Sequence, residues 1–152
     1  MQNVVSYSND EPCFGGESAL KIVVIDGQGG SIGKAVTEQL LKFFPAPDVF
    51  CIGTNSMATS AMLKAGARNA ATGENPVVVA CRDADCIVGP IGIAMVDAML
   101  GEITPAMAKA VNDSPAEKIL IPVNKCITIA GTEALTLTQH IQNAVDQIRR
   151  TR

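Results

Sequence analysis

Short apolar runs alternate along this chain with stretches of helical periodicity. The run Lys21–Ile25 reads as a first strand, and Val49–Ile52, Arg68–Ala71, Asp85–Val88 and Lys118–Val123 as four more. Between the first two, Ile32, Val36, Leu40, Phe43 and Phe44 approximate a helical stripe that Pro45 stops. Ser56–Ala65 reads as a small-residue helix ended by Gly66. Asn75 and Pro76 resemble an N-cap with proline at the first helical position, which predicts a helix over Val77–Arg82. Further helices are expected over Ile91–Leu100 and over Pro105–Asn112, the latter capped by Thr104. Thr136 and Gln139 form a capping box ahead of the stripe Ile141, Ala144, Val145 and Ile148. Strands that are continuous apolar runs, each followed by a helix, imply a mainly parallel sheet covered on both faces. The expected fold is a single α/β domain of three layers, α/β/α, with a doubly wound, Rossmann-like sheet.

The first strand runs directly into chemistry. In KIVVIDGQGGSIGKA, from Lys21 to Ala35, four glycines fall within seven residues before a helix begins. Gly27, Gly29, Gly30 and Gly33 let a turn take positive φ and let a ligand approach the backbone. The helix behind them offers unpaired N–H groups and a partial positive charge, so Gln28, Ser31 and Ile32 join the glycines as candidate contacts to an anion. Against the dinucleotide fingerprint G-x-G-x-x-G the loop has one extra residue, because the third glycine falls at Gly33 and Ile32 takes its place. A Walker A reading fails: Gln28 replaces the first glycine and Ala35 replaces the Ser/Thr that would hold magnesium.

The acid that would bind an adenosine ribose about twenty positions on is also missing, since the second strand runs into Gly53-Thr54-Asn55-Ser56. Thr54, Asn55 and Ser56 suit a phosphate or a hydroxyl, which favours a 2′-phosphorylated dinucleotide such as NADP over NAD, with other nucleotides left open. Asp26 sits between strand and glycines. A carboxylate about 4 Å from a phosphate is repelled by roughly 4 kcal/mol at an effective dielectric near 20, against at most ~2 kcal/mol from a helix terminus. Asp26 therefore points away from the ligand, shares a cation with it, meets a hydroxyl, or caps the turn through backbone N–H groups.

In a parallel sheet, ligands lie beyond the carboxyl ends of the strands. The loops gathered there are 27–33, 53–56, 72–75, 89–92 and 124–125, which adds Gly89 and Pro90 to the binding candidates. The expected function is capture of a nucleotide or other phosphorylated small molecule by a regulatory or sensing module. The alternative is a small enzyme with Asp26 or Glu74 as acid/base and Lys125 stabilising negative charge.

Composition narrows the partners. The first twenty residues carry Asp10, Glu11 and Glu17 without Lys or Arg and so hold the whole net charge of −3; they read as a flexible acidic extension ahead of a ligand-binding domain at 21–152. The remaining body balances twelve acidic against twelve basic residues, which argues against nucleic acid. The longest apolar run, Cys86–Val96, has eleven residues, too few to cross a bilayer. Five cysteines without a CxxC pair, and a single histidine, His140, point to reduced thiols in a cytoplasm and to no metal site. Cys126, beside Lys125, is the one thiol placed for reactivity. The expected helix IGIAMVDAML is apolar nearly all round except for Asp97, which suggests a subunit contact and a homodimer.

The strings IDGQGGSIGK, GTNSMATSAMLKAGA, ATGEN, CRDADCIVGPIGI, GEITPAMA and ILIPVNKC resemble a family of small bacterial proteins known as a domain of unknown function. The resemblance covers Lys21–Cys126 and implies no activity. A weaker one is to the methylglyoxal-synthase-like fold, whose Gly-Thr-Thr-Gly loop binds phosphate where Gly53-Thr54-Asn55-Ser56 stands here and whose first strand ends on an aspartate, as at Asp26. The Gly-Asp-Gln-Gln segment of that family has no counterpart, so the resemblance does not imply synthase activity.

Overall fold

The computed structural model describes residues 19–123 and 127–151. Five parallel strands, β1 (Ile22–Asp26), β2 (Val49–Gly53), β3 (Asn69–Thr72), β4 (Cys86–Pro90) and β5 (Glu117–Ile121), lie in the order β3-β2-β1-β4-β5. The helices are α1 (Ser31–Leu40), α2 (Ser56–Lys64), α3 (Glu74–Ala80), α4 (Pro105–Asp113) and α5 (Leu137–Arg150).

The alternation within β1 splits the core in two. Ile22 and Val24 point into one hydrophobic cluster with Val36 and Leu40 of α1, Met62 of α2, and Ile141, Val145 and Ile148 of α5. Val23 and Ile25 point into the other with Val77 and Ala80 of α3 and Met107, Ala108 and Val111 of α4. A period of two is what a strand buried on both faces requires. The result is the expected α/β/α sandwich, with β1 buried throughout at its centre.

Most local signals hold. The Thr136 side chain accepts from the Gln139 amide while Gln139 caps the Thr136 N–H, completing the capping box of α5. Thr104 accepts from the Met107 amide at 3.2 Å at the head of α4. Two expectations change. α3 begins at Glu74, capped by Gly73 at φ 106°, rather than at an Asn75 cap, so Pro76 sits within the first turn. Ile91–Leu100 is not a helix: a 3-10 turn covers Ile91–Ala94. The chain then folds into a tight strap in which Asp97, Met99, Leu100 and Gly101 all have φ between 57° and 89°. The strap is closed by the Asp97 amide on the Ile103 carbonyl at 2.8 Å, and it buries Ile93 and Ile103 while Asp97 stays exposed. The all-round apolar helix that suggested a homodimer is not formed.

Candidate functional site

β1 and β4 are neighbours in the sheet, and the chain leaves them on opposite sides, β1 into α1 and β4 into the strap. In an open parallel sheet a crevice opens beyond the strand ends at such a reversal of strand order. Here it measures about 530 Å³. Asp26 to Ile32 form one side; Pro90, Gly92 and the strap residues Ala98 to Leu100 form the other, with Val123 at the margin.

Each glycine of the loop answers to a different constraint. A Cβ on Gly27 would lie 2.6–2.7 Å from Met99 Sδ, Glu102 Oε2 and Thr54 Oγ1, so this position is closed by the strap. Gly30 has φ 72° and caps α1, and a Cβ there would meet the Ala58 backbone at 2.6 Å. A Cβ on Gly33 would strike the Asp26 and Met62 side chains. Gly29 differs from all three. A Cβ at Gly29 would meet nothing within 4 Å, and its φ lies outside the left-handed region. Neither packing nor backbone conformation demands a glycine there.

The loop amides divide in the same way. Asp26, 4% exposed, accepts from the Gly27 amide at 2.8 Å and from the Gly33 amide at 2.6 Å. The Gly30 amide bonds the Gly27 carbonyl at 2.9 Å, and the Gln28 amide bonds Glu102 Oε2 at 2.8 Å. Gly29 and Ser31 keep amides without a hydrogen-bond partner among the described residues. These two, at the exposed head of α1, are the donors left for an anion.

The two nearby carboxyls have opposite electrostatics. Burial raises the Asp26 pKa; the Gly33, Gly27 and Ile32 amides pull it back only in part, and Glu102 adds a further upward push. Burial likewise pushes Glu102 up, but Thr54, the Gln28 amide and Asn55 more than offset it, and the net shift is downward. The raised Asp26 value favours the neutral carboxyl, so its contribution to stability is present at acid pH and is lost as pH rises through that value. Glu102 contributes above its ordinary value of 4.5 and loses this as pH falls. In thermal melts from pH 3 to 7, the stability gap between wild type and Glu102→Gln should therefore narrow on acidification, and that between wild type and Asp26→Asn should narrow as pH rises.

The remaining candidates separate. Thr54 and Asn55 turn toward Glu102: the Thr54 hydroxyl and Asn55 Nδ2 (3.1 Å) both donate to its Oε2. Asn55 Nδ2 also bonds the Gln28 carbonyl at 2.9 Å, and Asn55 Oδ1 caps α2 through the Ala58 amide. Ser56 is exposed as the first residue of α2. Gly89 is buried where a Cβ would come within 2.2 Å of the Ile25 carbonyl, so it serves strand packing, whereas Pro90 lines the crevice. Glu74 is exposed at the head of α3, beyond the edge strand β3, and is not part of the crevice lining. Lys34, next to Gly33, is exposed with Nζ 3.8 Å from Glu38. Lys125 and Cys126 lie outside the described residues, as do residues 1–18. The cysteines described, Cys51, Cys81 and Cys86, are buried, and burial pushes Cys51 and Cys81 up to about 11, which makes them inert packing residues at neutral pH. No group of three His, Cys, Asp or Glu among the described residues could hold a metal ion, and no helix among them is long and apolar enough to cross a membrane.

Glu102 was not foreseen. Its partners lie 74, 48 and 47 positions away, so no local pattern marks it.

The family model described as "Domain of unknown function (DUF3842)" matches residues 21–152. The chain belongs to this family. No curated protein matches it. Among solved structures, the DUF3842 chain is similar to the Citrobacter sp. triphenylmethane reductase complexed with NADP(H), at 20% identity and a TM-score of 0.51, covering 86% of this chain and 46% of that one. A second structure of the Citrobacter reductase, described in connection with bioremediation of triphenylmethane dyes, gives 20% identity and a TM-score of 0.52, with 87% and 46% covered. The DUF3842 chain thus spans about half the length of these reductases, and at this identity the likeness establishes a shared Rossmann-like fold.

Proposed function

We propose that this protein binds a nucleotide, a dinucleotide foremost, at the β1–α1 glycine loop, as a binding or sensing module. The observation that carries this reading is Gly29: its side-chain position is open, its amide is unpartnered among the described residues, and it faces a 530 Å³ crevice at the reversal of strand order. A backbone kept bare where the protein itself has no need of it suits close approach by a phosphate. The similarly folded Citrobacter reductase is a complex with NADP(H), which supports a dinucleotide over a phosphosugar.

Asp26 no longer stands against an anion as it does in the sequence. Its two oxygens are engaged by the Gly27 and Gly33 amides, so the carboxyl group is held inside the turn as the loop's own acceptor. The same engagement supports binding over acid/base catalysis, because Asp26 is committed to the loop and Glu74 stands outside the crevice lining.

A thermal-shift panel of NAD(H), NADP(H), ADP-ribose, ATP, GTP and phosphosugars tests the reading. A ligand present at about 100 times its Kd adds roughly 2.7 kcal/mol, which raises Tm by about 5–10 °C for a domain of this size. An unmoved midpoint across the nucleotides would remove the proposal, and a shift by phosphosugars alone would transfer the site to that class.

A further inference from the structure

We infer that Glu102 is the specificity-determining residue of this site, selecting a nucleotide whose ribose carries a free 2′,3′-diol and rejecting one with a 2′-phosphate. The inference rests on the nucleotide reading above. Parallel α/β domains that hold a dinucleotide on a G-x-G loop read the adenosine ribose with a group just past the second strand. β2 ends at Gly53, and the residues that follow, Thr54, Asn55 and Ser56, include no acid. The strap supplies one from elsewhere in the chain. Glu102 Oε2 is fixed at the end of β2 by the Thr54 hydroxyl and Asn55 Nδ2, and to the glycine loop by the Gln28 amide.

All three of those donors use one oxygen. Glu102 Oε1 has no hydrogen-bond partner among the described residues, and it is not a sealed orphan, since none of their buried side-chain oxygens lacks a partner. It remains an open acceptor on a side chain that does not itself line the crevice but is bonded to the amide of Gln28, which does. A free ribose hydroxyl can donate a charge-assisted hydrogen bond to that one open oxygen. A 2′-phosphate brings a second anion to the same place, and among the described residues no Lys or Arg lines the crevice to neutralise it. The three donors also hold Glu102 in its charged form. Thr54 and Asn55, which in the sequence favour a 2′-phosphate, are spent on placing this carboxylate.

Calorimetric titration of the full chain with NAD+, NADP+ and ADP-ribose, in wild type and Glu102→Gln, tests the inference. Wild type should bind NAD+ and ADP-ribose tighter than NADP+ by about tenfold or more. Glutamine keeps an acceptor oxygen for Thr54, Asn55 and Gln28 but loses the charge, so the preference should fall by about tenfold in a protein that still melts cooperatively, with the ligand-free Tm lowered at neutral pH by the lost charge. Equal or tighter binding of NADP+ by wild type would overturn the inference and leave the nucleotide reading intact, and this comparison needs no variant. A preference unchanged in Glu102→Gln would overturn it as well. If none of the three ligands binds wild type, the dinucleotide form of that reading fails and takes the inference with it.

Discussion

Gly29→Ala should weaken nucleotide binding by about a hundredfold in a protein that remains as stable as wild type. The two halves of this result come from one geometric fact. Within the protein the added methyl meets no atom within 4 Å, and the backbone is not left-handed, so the stability change should stay within about 0.5 kcal/mol, as for other exposed substitutions. The methyl occupies the space through which a phosphate would reach the Gly29 amide, and affinity should fall by about a hundredfold, the loss of a charge-assisted hydrogen bond together with a steric clash. Gly30→Ala is the contrasting control. Its φ of 72° and its 2.6 Å approach to the Ala58 backbone make the same small change a folding defect, costing about 2 kcal/mol or more. Calorimetry for affinity and thermal melts for stability separate the two variants. Equal loss of stability in both would mean that Gly29, too, is a structural glycine.

Asp26→Ala should be the most destabilising single change at the site. The carboxylate is the partner of the Gly27 and Gly33 amides, and its removal leaves both donors buried without an acceptor. At about 1–3 kcal/mol for each orphaned group, the cost is about 2–6 kcal/mol, a large share of the roughly 5–15 kcal/mol that holds a domain together. Tm should drop by about 5–15 °C or more. Asparagine keeps one acceptor but sets an N–H against the second amide, so Asp26→Asn should fall between alanine and wild type. Nucleotide binding should weaken in both variants, because the released amides loosen the turn that presents Gly29 and Ser31. A wild-type melt for Asp26→Ala would show that the loop does not depend on this carboxylate.

The fold was legible where local physics decides it. β1 and β2 read as strands because they are short, unbroken apolar runs, and α5 because its capping box and its stripe agree. The glycine loop announced itself by composition, and the choice of strand-end loops followed from a parallel sheet. The strap did not, for three reasons visible in particular residues. Asp97, Met99 and Leu100 adopt positive φ without being glycines, a conformation that propensity disfavours and that tertiary contacts impose. The apolar run Ile91–Leu100 imitates a buried helix, since periodicity cannot distinguish a short run packed by turns from one packed as a helix. Glu102 joins residues 28, 54 and 55 across the whole first half of the chain, so only the gap left after β2 hinted that a carboxylate was owed. The four glycines look equivalent in the sequence, yet three of them serve the protein's own packing and one does not.

The most direct test is an amide chemical-shift titration of the 15N-labelled full chain with ADP-ribose, which carries the pyrophosphate and the adenosine ribose without a reactive ring. The amides of Gly29 and Ser31 should move furthest, with smaller changes at Gln28 and Glu102, and should saturate together. Shifts that saturate elsewhere on the surface, or a spectrum unchanged at millimolar ligand, would contradict the claim that this glycine loop is a nucleotide site.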